Sequence, residues 1–186
     1  LWKIPDLQYL IIFEVSDCNS SFVNSLRRII ISEVTTISFN VDDYENSDLK
    51  VIENNSSLHN EFLLSRLGLI PIFTNDIESY DPSKYKFTLK KENKTFNIID
   101  VTTEDFEILN LETNKLENTL SFFPKNDITG DSILITRLKP NPNGTGEKIH
   151  IEGTSSKGIG KEHIRFSPVS TILFTNKIDP DRYSIM

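Results

Sequence analysis

The sequence predicts an α+β fold, two helices set among many short strands, and three observations predict it. Apolar residues recur in steps of three and four at Phe22, Leu26, Ile29, Ile30 and Val34, which is one face of a helix. A shorter helical stripe follows at Leu58, Phe62, Leu63 and Leu67. From Lys84 to Ile135, β-prone pieces of a few residues alternate with polar turns.

In chain order, Leu10-Ile11-Ile12-Phe13-Glu14-Val15 is short, apolar and rich in β-branched residues, so it is expected to be a buried strand. Asp17, Asn19 and Ser20 can then cap the first helix by accepting bonds from its free N–H groups. Asn24, Arg27, Arg28 and Glu33 lie off the apolar stripe of that helix. The stretch Thr35 to Val41 alternates and predicts a strand, and the acidic run Asp42 to Asp48 predicts a loop.

The cluster Asn54-Asn55-Ser56-Ser57 is placed to start the second helix, which Gly68 and Pro71 stop. Tyr85 to Leu89, Thr95 to Ile99, Ser132 to Ile135 and Lys148 to Glu152 predict strands, with a turn at Pro140 to Gly144.

Composition excludes several function classes. At 186 residues with 37% hydrophobic and 25% charged, the chain can bury a core of its own. One cysteine, Cys18, allows neither an internal disulfide nor a four-cysteine zinc site. That suits a reducing, intracellular compartment. The net charge of −7, without a Lys/Arg run longer than two, disfavours direct nucleic-acid binding. No apolar run approaches the roughly 20 residues that cross a bilayer, so no membrane is expected. His59, His150 and His163 have no second ligand at helical spacing, so no metal is expected. The chain opens on Leu1, which is expected to lie inside a longer product.

Three stretches carry the functional information: Phe22 to Val34, with Asn24-Ser25-Leu26-Arg27-Arg28 at its centre; Asn55 to Ile72, with Glu61, Arg66 and the Gly68-Leu69-Ile70-Pro71 turn; and Lys157 to Val169, with Gly158-Ile159-Gly160-Lys161-Glu162-His163-Ile164-Arg165. In this order and spacing they resemble the third-largest subunit of eukaryotic RNA polymerase II and its archaeal D counterpart, and more distantly bacterial α. The resemblance spans residues 8 to 175.

That resemblance implies a split α-like dimerisation domain of strand and helix, interrupted by an inserted, mainly β domain. The corresponding division is 1–41 for the first part, 42–176 for the insertion and 177–186 for the start of the return. The rest of the family's final strand and long helix is missing, which implies a fragment, a fused chain or a pared-down version. A viral polymerase, whose α-like halves can be joined, and a cellular organism with an AT-rich genome are both compatible with the composition. The location expected is accordingly the nucleus for a cellular eukaryote, or virion or host cytoplasm for a virus.

The implied role is non-catalytic assembly: pairing with a smaller α-like subunit, separate or fused, and docking two large catalytic subunits. The Phe22/Leu26/Ile29/Ile30 stripe would meet the partner helix, shared in part with the chain's own sheet. Asn24, Arg27, Arg28, Glu61 and Arg66 are further partner-binding candidates, with Lys161, Glu162, His163 and Arg165 as a polar docking edge. Gly158 and Gly160 would allow a tight backbone path beside another subunit. The zinc or iron–sulfur site of some relatives is not expected, because 73–87 contains no cysteine.

Three other readings compete. Gly158-Ile159-Gly160-Lys161 looks like the end of a phosphate-binding loop, but Ser155 and Glu162 stand where Gly and Ser/Thr are needed. An enzyme built on Glu162 and His163 lacks a nucleophile or metal to complete it. A stand-alone interaction or virion protein that keeps the fold without polymerase is the alternative function.

Overall fold

The computed structural model describes residues 11–42, 46–141 and 146–177. Its elements are α1 (Ser20–Ser32), β1 (Thr35–Ser38), β2 (Leu49–Asn54), α2 (Asn60–Gly68), β3 (Tyr85–Glu92), β4 (Ile99–Thr102), β5 (Phe106–Asn110), β6 (Lys115–Glu117), α3 (Thr119–Phe122), β7 (Leu134–Leu138), β8 (Lys148–Gly153) and β9 (Ser156–Ile159). The fold is α+β, as expected. Leu10, most of the 140–144 turn, part of the 42–48 loop and residues 178–186 lie outside the described residues.

The centre is an antiparallel five-stranded sheet in the order β2-β8-β3-β5-β6. Alternation gives it one apolar face: Leu49, Ile149, Ile151, Phe87, Leu89, Phe106 and Ile108 are all buried. Leu63, Leu64 and Leu67 of α2 belong to the same core, with Phe39 from the end of β1. Phe39 meets Phe87 edge-on at 5.2 Å, and Phe106 stacks on Phe123 at 5.2 Å, geometries that aromatic quadrupoles favour. A two-stranded sheet, β4 with β7, contributes buried Val101, Ile135 and Leu138. Tyr80 is buried too, with its hydroxyl 2.7 Å from that of Ser155; burial pushes its phenol up to about 12.

A second two-stranded sheet joins distant parts of the chain. β1 pairs antiparallel with β9, Thr35 opposite Ile159 and Ser38 opposite Ser156. Residues 156–159, assigned from the sequence to the inserted lobe, therefore sit beside the strand that follows α1.

Several local expectations need correction. Residues 11–15 are irregular and exposed instead of forming a buried strand, and no described strand pairs with them. An apolar β-prone run gains order only when a neighbour takes its backbone hydrogen bonds. Residues 95–98 are also irregular, and β4 begins only at Ile99. Asn93 organises that loop: its Oδ1 accepts from the Thr95 amide at 2.8 Å and its Nδ2 donates to Asn97 O at 2.7 Å. The polar cluster at 54–57 makes a turn, with the Ser56 amide donating to Asn54 Oδ1 at 2.9 Å, and His59 caps α2 instead. Phe62 is 67% exposed and Leu64 takes its place in the core, so the buried face of α2 is rotated from the predicted stripe.

Candidate assembly surface

α1 is a well-made helix that the described chain leaves uncovered. Asn19 starts it, its Oδ1 accepting from the Phe22 amide at 2.8 Å, and the Glu33 amide closes its last turn on Ile29 O at 2.9 Å. No residue of the helix is buried. Phe22 is 58% exposed and Ile29 51%, while Leu26 and Ile30 are half-buried. Among the described residues none of the four belongs to the core.

The two arginines of α1 differ. Arg27 is held within the helix, its Nε and Nη2 donating to Asn24 Oδ1 at 3.2 and 3.1 Å. Asn24 is thereby engaged as well. Arg28 is exposed and, with Ile31, Ser32, Glu33 and Lys161, lines a cleft of about 340 Å³ at the end of the helix.

The third block meets α1 through backbone. The Lys161 amide donates to Ser32 O at 3.0 Å, and a Cβ on Gly160 would come within 2.0 Å of Ile31 O. A Cβ on Gly158 would strike the Phe166 ring at 2.6 Å. Both glycines thus make close backbone approaches within this chain, Gly160 to the end of α1 and Gly158 to the Phe166 ring.

Arg165 corrects a second expectation. Instead of standing at an open docking edge, its side chain is only 5% exposed. Its Nη1 donates to Phe39 O at 2.9 Å, its Nη2 pairs with Asp42, and its Nε donates to His163 Nδ1 at 3.0 Å. The same Nδ1 accepts the Arg165 amide at 3.1 Å and caps the 3-10 turn Ile164–Phe166. Gly68 makes room for the guanidinium: a Cβ there would lie 2.6 Å from Val41 Cγ2 and 3.1 Å from Arg165 Nη1. The segments just past β1 and the end of α2 so converge on one arginine.

The remaining candidates separate by what they touch. Arg66 is committed inside the chain, Nε to Ile135 O at 2.8 Å and Nη2 to Leu134 O at 3.1 Å, which fixes α2 to β7 instead of reaching a partner. Glu61, in the first turn of α2, is exposed and lines a groove with Asp42, Leu69 and His163. Glu162 turns back, its Oε2 accepting the Ile159 amide at 3.3 Å. Asp42 was missed by sequence reasoning; it sits in an acidic run with nothing local to mark it as the partner of a residue 123 positions away. Among the described residues no three of His, Cys, Asp or Glu come together as a metal site, and no helix is long and apolar enough to cross a membrane.

Comparison with known proteins places this arrangement. No family model matches the chain. DNA-directed RNA polymerases II, IV and V subunit 3 of Arabidopsis thaliana is 30% identical over 183 residues, covering 90% of this chain and 53% of that protein. DNA-directed RNA polymerase subunit Rpo3 of Methanocaldococcus jannaschii is 32% identical over 153 residues, covering 82% and 62%. A conjugation stage-specific protein of Tetrahymena thermophila is 30% identical over 189 residues, covering 91% and 56%. The chain thus spans about half the length of the curated relatives it matches. Across nearly all of its own length, the chain belongs to the α-like subunit family of multisubunit RNA polymerases.

Proposed function

We propose that this chain is a non-catalytic assembly subunit of a DNA-directed RNA polymerase. It pairs through α1 with a smaller α-like subunit, and the pair receives the two large subunits that carry the catalysis. The division into a first dimerisation part, an inserted β lobe and a return is part of this proposal, as is a place inside the cell with the polymerase. So is a lobe held together by packing without zinc or an iron–sulfur cluster.

The observation that carries the reading is α1: thirteen residues with an apolar stripe and no buried side chain. The four side chains of the stripe are already partly covered, so completing their burial against a partner is worth about 3–6 kcal/mol before the cost of association. Isolated helices of this length are marginal in water. A covering partner accounts for both facts.

Co-expression with the smaller α-like subunit tests it. Leu26→Asp or Ile30→Asp puts a charge in the stripe and should abolish recovery of the pair while the chain stays folded. Undiminished recovery would count against α1 as the pairing helix.

A further inference from the structure

α1 has no buried residue, and the bonds that can steer it gather at its C-terminal end. From Ser32 the chain runs through Glu33 and Val34 straight into β1. Among the described residues, a single hydrogen bond joins the helix to a distant segment, from the Lys161 amide to Ser32 O at 3.0 Å. Gly160 packs beside it on Ile31 O with no side chain between. The direction of α1 is therefore set against the turn 160–163, and that turn is held from both sides. Before it, β9 pairs with β1, Thr35 opposite Ile159. After it, Thr36 Oγ1 donates to Phe166 O at 2.6 Å, and Arg165 Nη1 donates to Phe39 O at 2.9 Å. Arg165 also grips the turn itself, its Nε donating to His163 Nδ1 at 3.0 Å.

We infer that Arg165 is a positioning residue for subunit pairing: by fixing the turn beneath Ser32, it sets the direction in which α1 meets the smaller α-like subunit. The inference rests on the pairing role proposed above and assigns its geometry to a side chain that is itself buried. A helix free to swing presents its stripe correctly only part of the time, and the apparent affinity falls by that fraction. A purely structural role makes a different prediction, because any equal loss of stability would then weaken pairing equally.

The test titrates the whole chain with the smaller α-like subunit in the cold, where urea midpoints show each variant to be folded. Arg165→Met should weaken pairing about tenfold, as expected when the competent orientation falls to about a tenth of the population. Arg165→Lys should fall between, and Thr36→Val, which removes the neighbouring tie to Phe166, should move in the same direction. Ile108→Ala opens a cavity in the five-stranded sheet, outside the β1–β9 junction, and lowers stability to a comparable degree. Its affinity should be unchanged. Hydrogen exchange adds a local reading: the Lys161 amide should exchange faster relative to those of β3 in Arg165→Met, and keep its ratio to them in Ile108→Ala.

If the unmodified chain does not bind the small subunit at all, the assembly role itself fails, and this inference with it. Should the unmodified chain pair while Arg165→Met and Thr36→Val pair with the same affinity, the inference alone is overturned. It is equally overturned if Ile108→Ala weakens pairing as much as Arg165→Met, since the loss would then follow stability and not the setting of α1.

Discussion

Replacing Arg165 with methionine keeps most of the aliphatic stem and deletes every bond the guanidinium makes. Three losses follow, and they are unequal. Phe39 is fully buried, and its carbonyl loses the Nη1 donor at 2.9 Å; stranding a buried acceptor costs about 1–3 kcal/mol. Asp42 is 54% exposed and returns largely to water, so that pair is worth only about 0.2–1 kcal/mol. His163 Nδ1 retains the Arg165 amide and loses only the Nε donor. The expected destabilisation is about 2–4 kcal/mol, which for a chain of this size is a fall in Tm of roughly 5–15 °C. Urea unfolding followed by fluorescence, with a thermal scan beside it, reads both quantities. Arg165→Lys should fall between, because one ammonium cannot reach Phe39 O and Asp42 together. A change below about 0.5 kcal/mol for Arg165→Met, the level of an ordinary surface substitution, would refute the clamp.

Other expectations follow from the same structure. The hydroxyl of Thr103 is buried without a partner, so Thr103→Val should be neutral or stabilise by up to about 1 kcal/mol, read by urea midpoint. Gly160→Ala drives a methyl into Ile31 O and should cost about 1–3 kcal/mol, with weaker pairing to the small α-like subunit measured by co-purification. Tyr80 has its phenol raised in the fold from 10.0 to about 12, so the fold holds its proton where the unfolded chain gives it up. That contribution is complete below pH 10 and lost as pH rises toward 12. Urea titrations across that window should show a shallower fall in stability for Tyr80→Phe than for the unmodified chain.

What could be read from the sequence was whatever depends on near neighbours. The stripe of α1 and the alternation of β3 and β8 follow from 3.6- and 2-residue periods, and all three elements stand where the patterns put them. The buried face of α2 was misjudged because Leu63 and Leu64 are both apolar beside Phe62, and only the position of the five-stranded sheet decides which two turn inward. Residues 11–15 have the composition of a strand, but composition does not supply a neighbour. β9 is not predicted as a strand, since Gly158 weakens the pattern, and its register with β1 is decided at long range. For the candidate site, the three blocks name residues that meet around the end of α1 and around Arg165, yet their division of labour is hidden. Nothing local distinguishes Arg28, which is free, from Arg27, which is tied, or Arg165, which is buried.

The pairing of β1 with β9 and the reach of Arg165 to Phe39, 126 residues away, also set an order of events in time. A ribosome releases the chain from its N-terminus at about 5–20 residues per second, so α1 emerges many seconds before the segment that fixes its last turn. Closing so long a loop costs only slightly more entropy than closing a short one, but it cannot begin until residue 166 has been made. Until then the helix has no fixed orientation to offer. The end of α1 therefore takes its final setting only once β9 has closed on β1, so a finished subunit differs from a nascent one at that end of the helix.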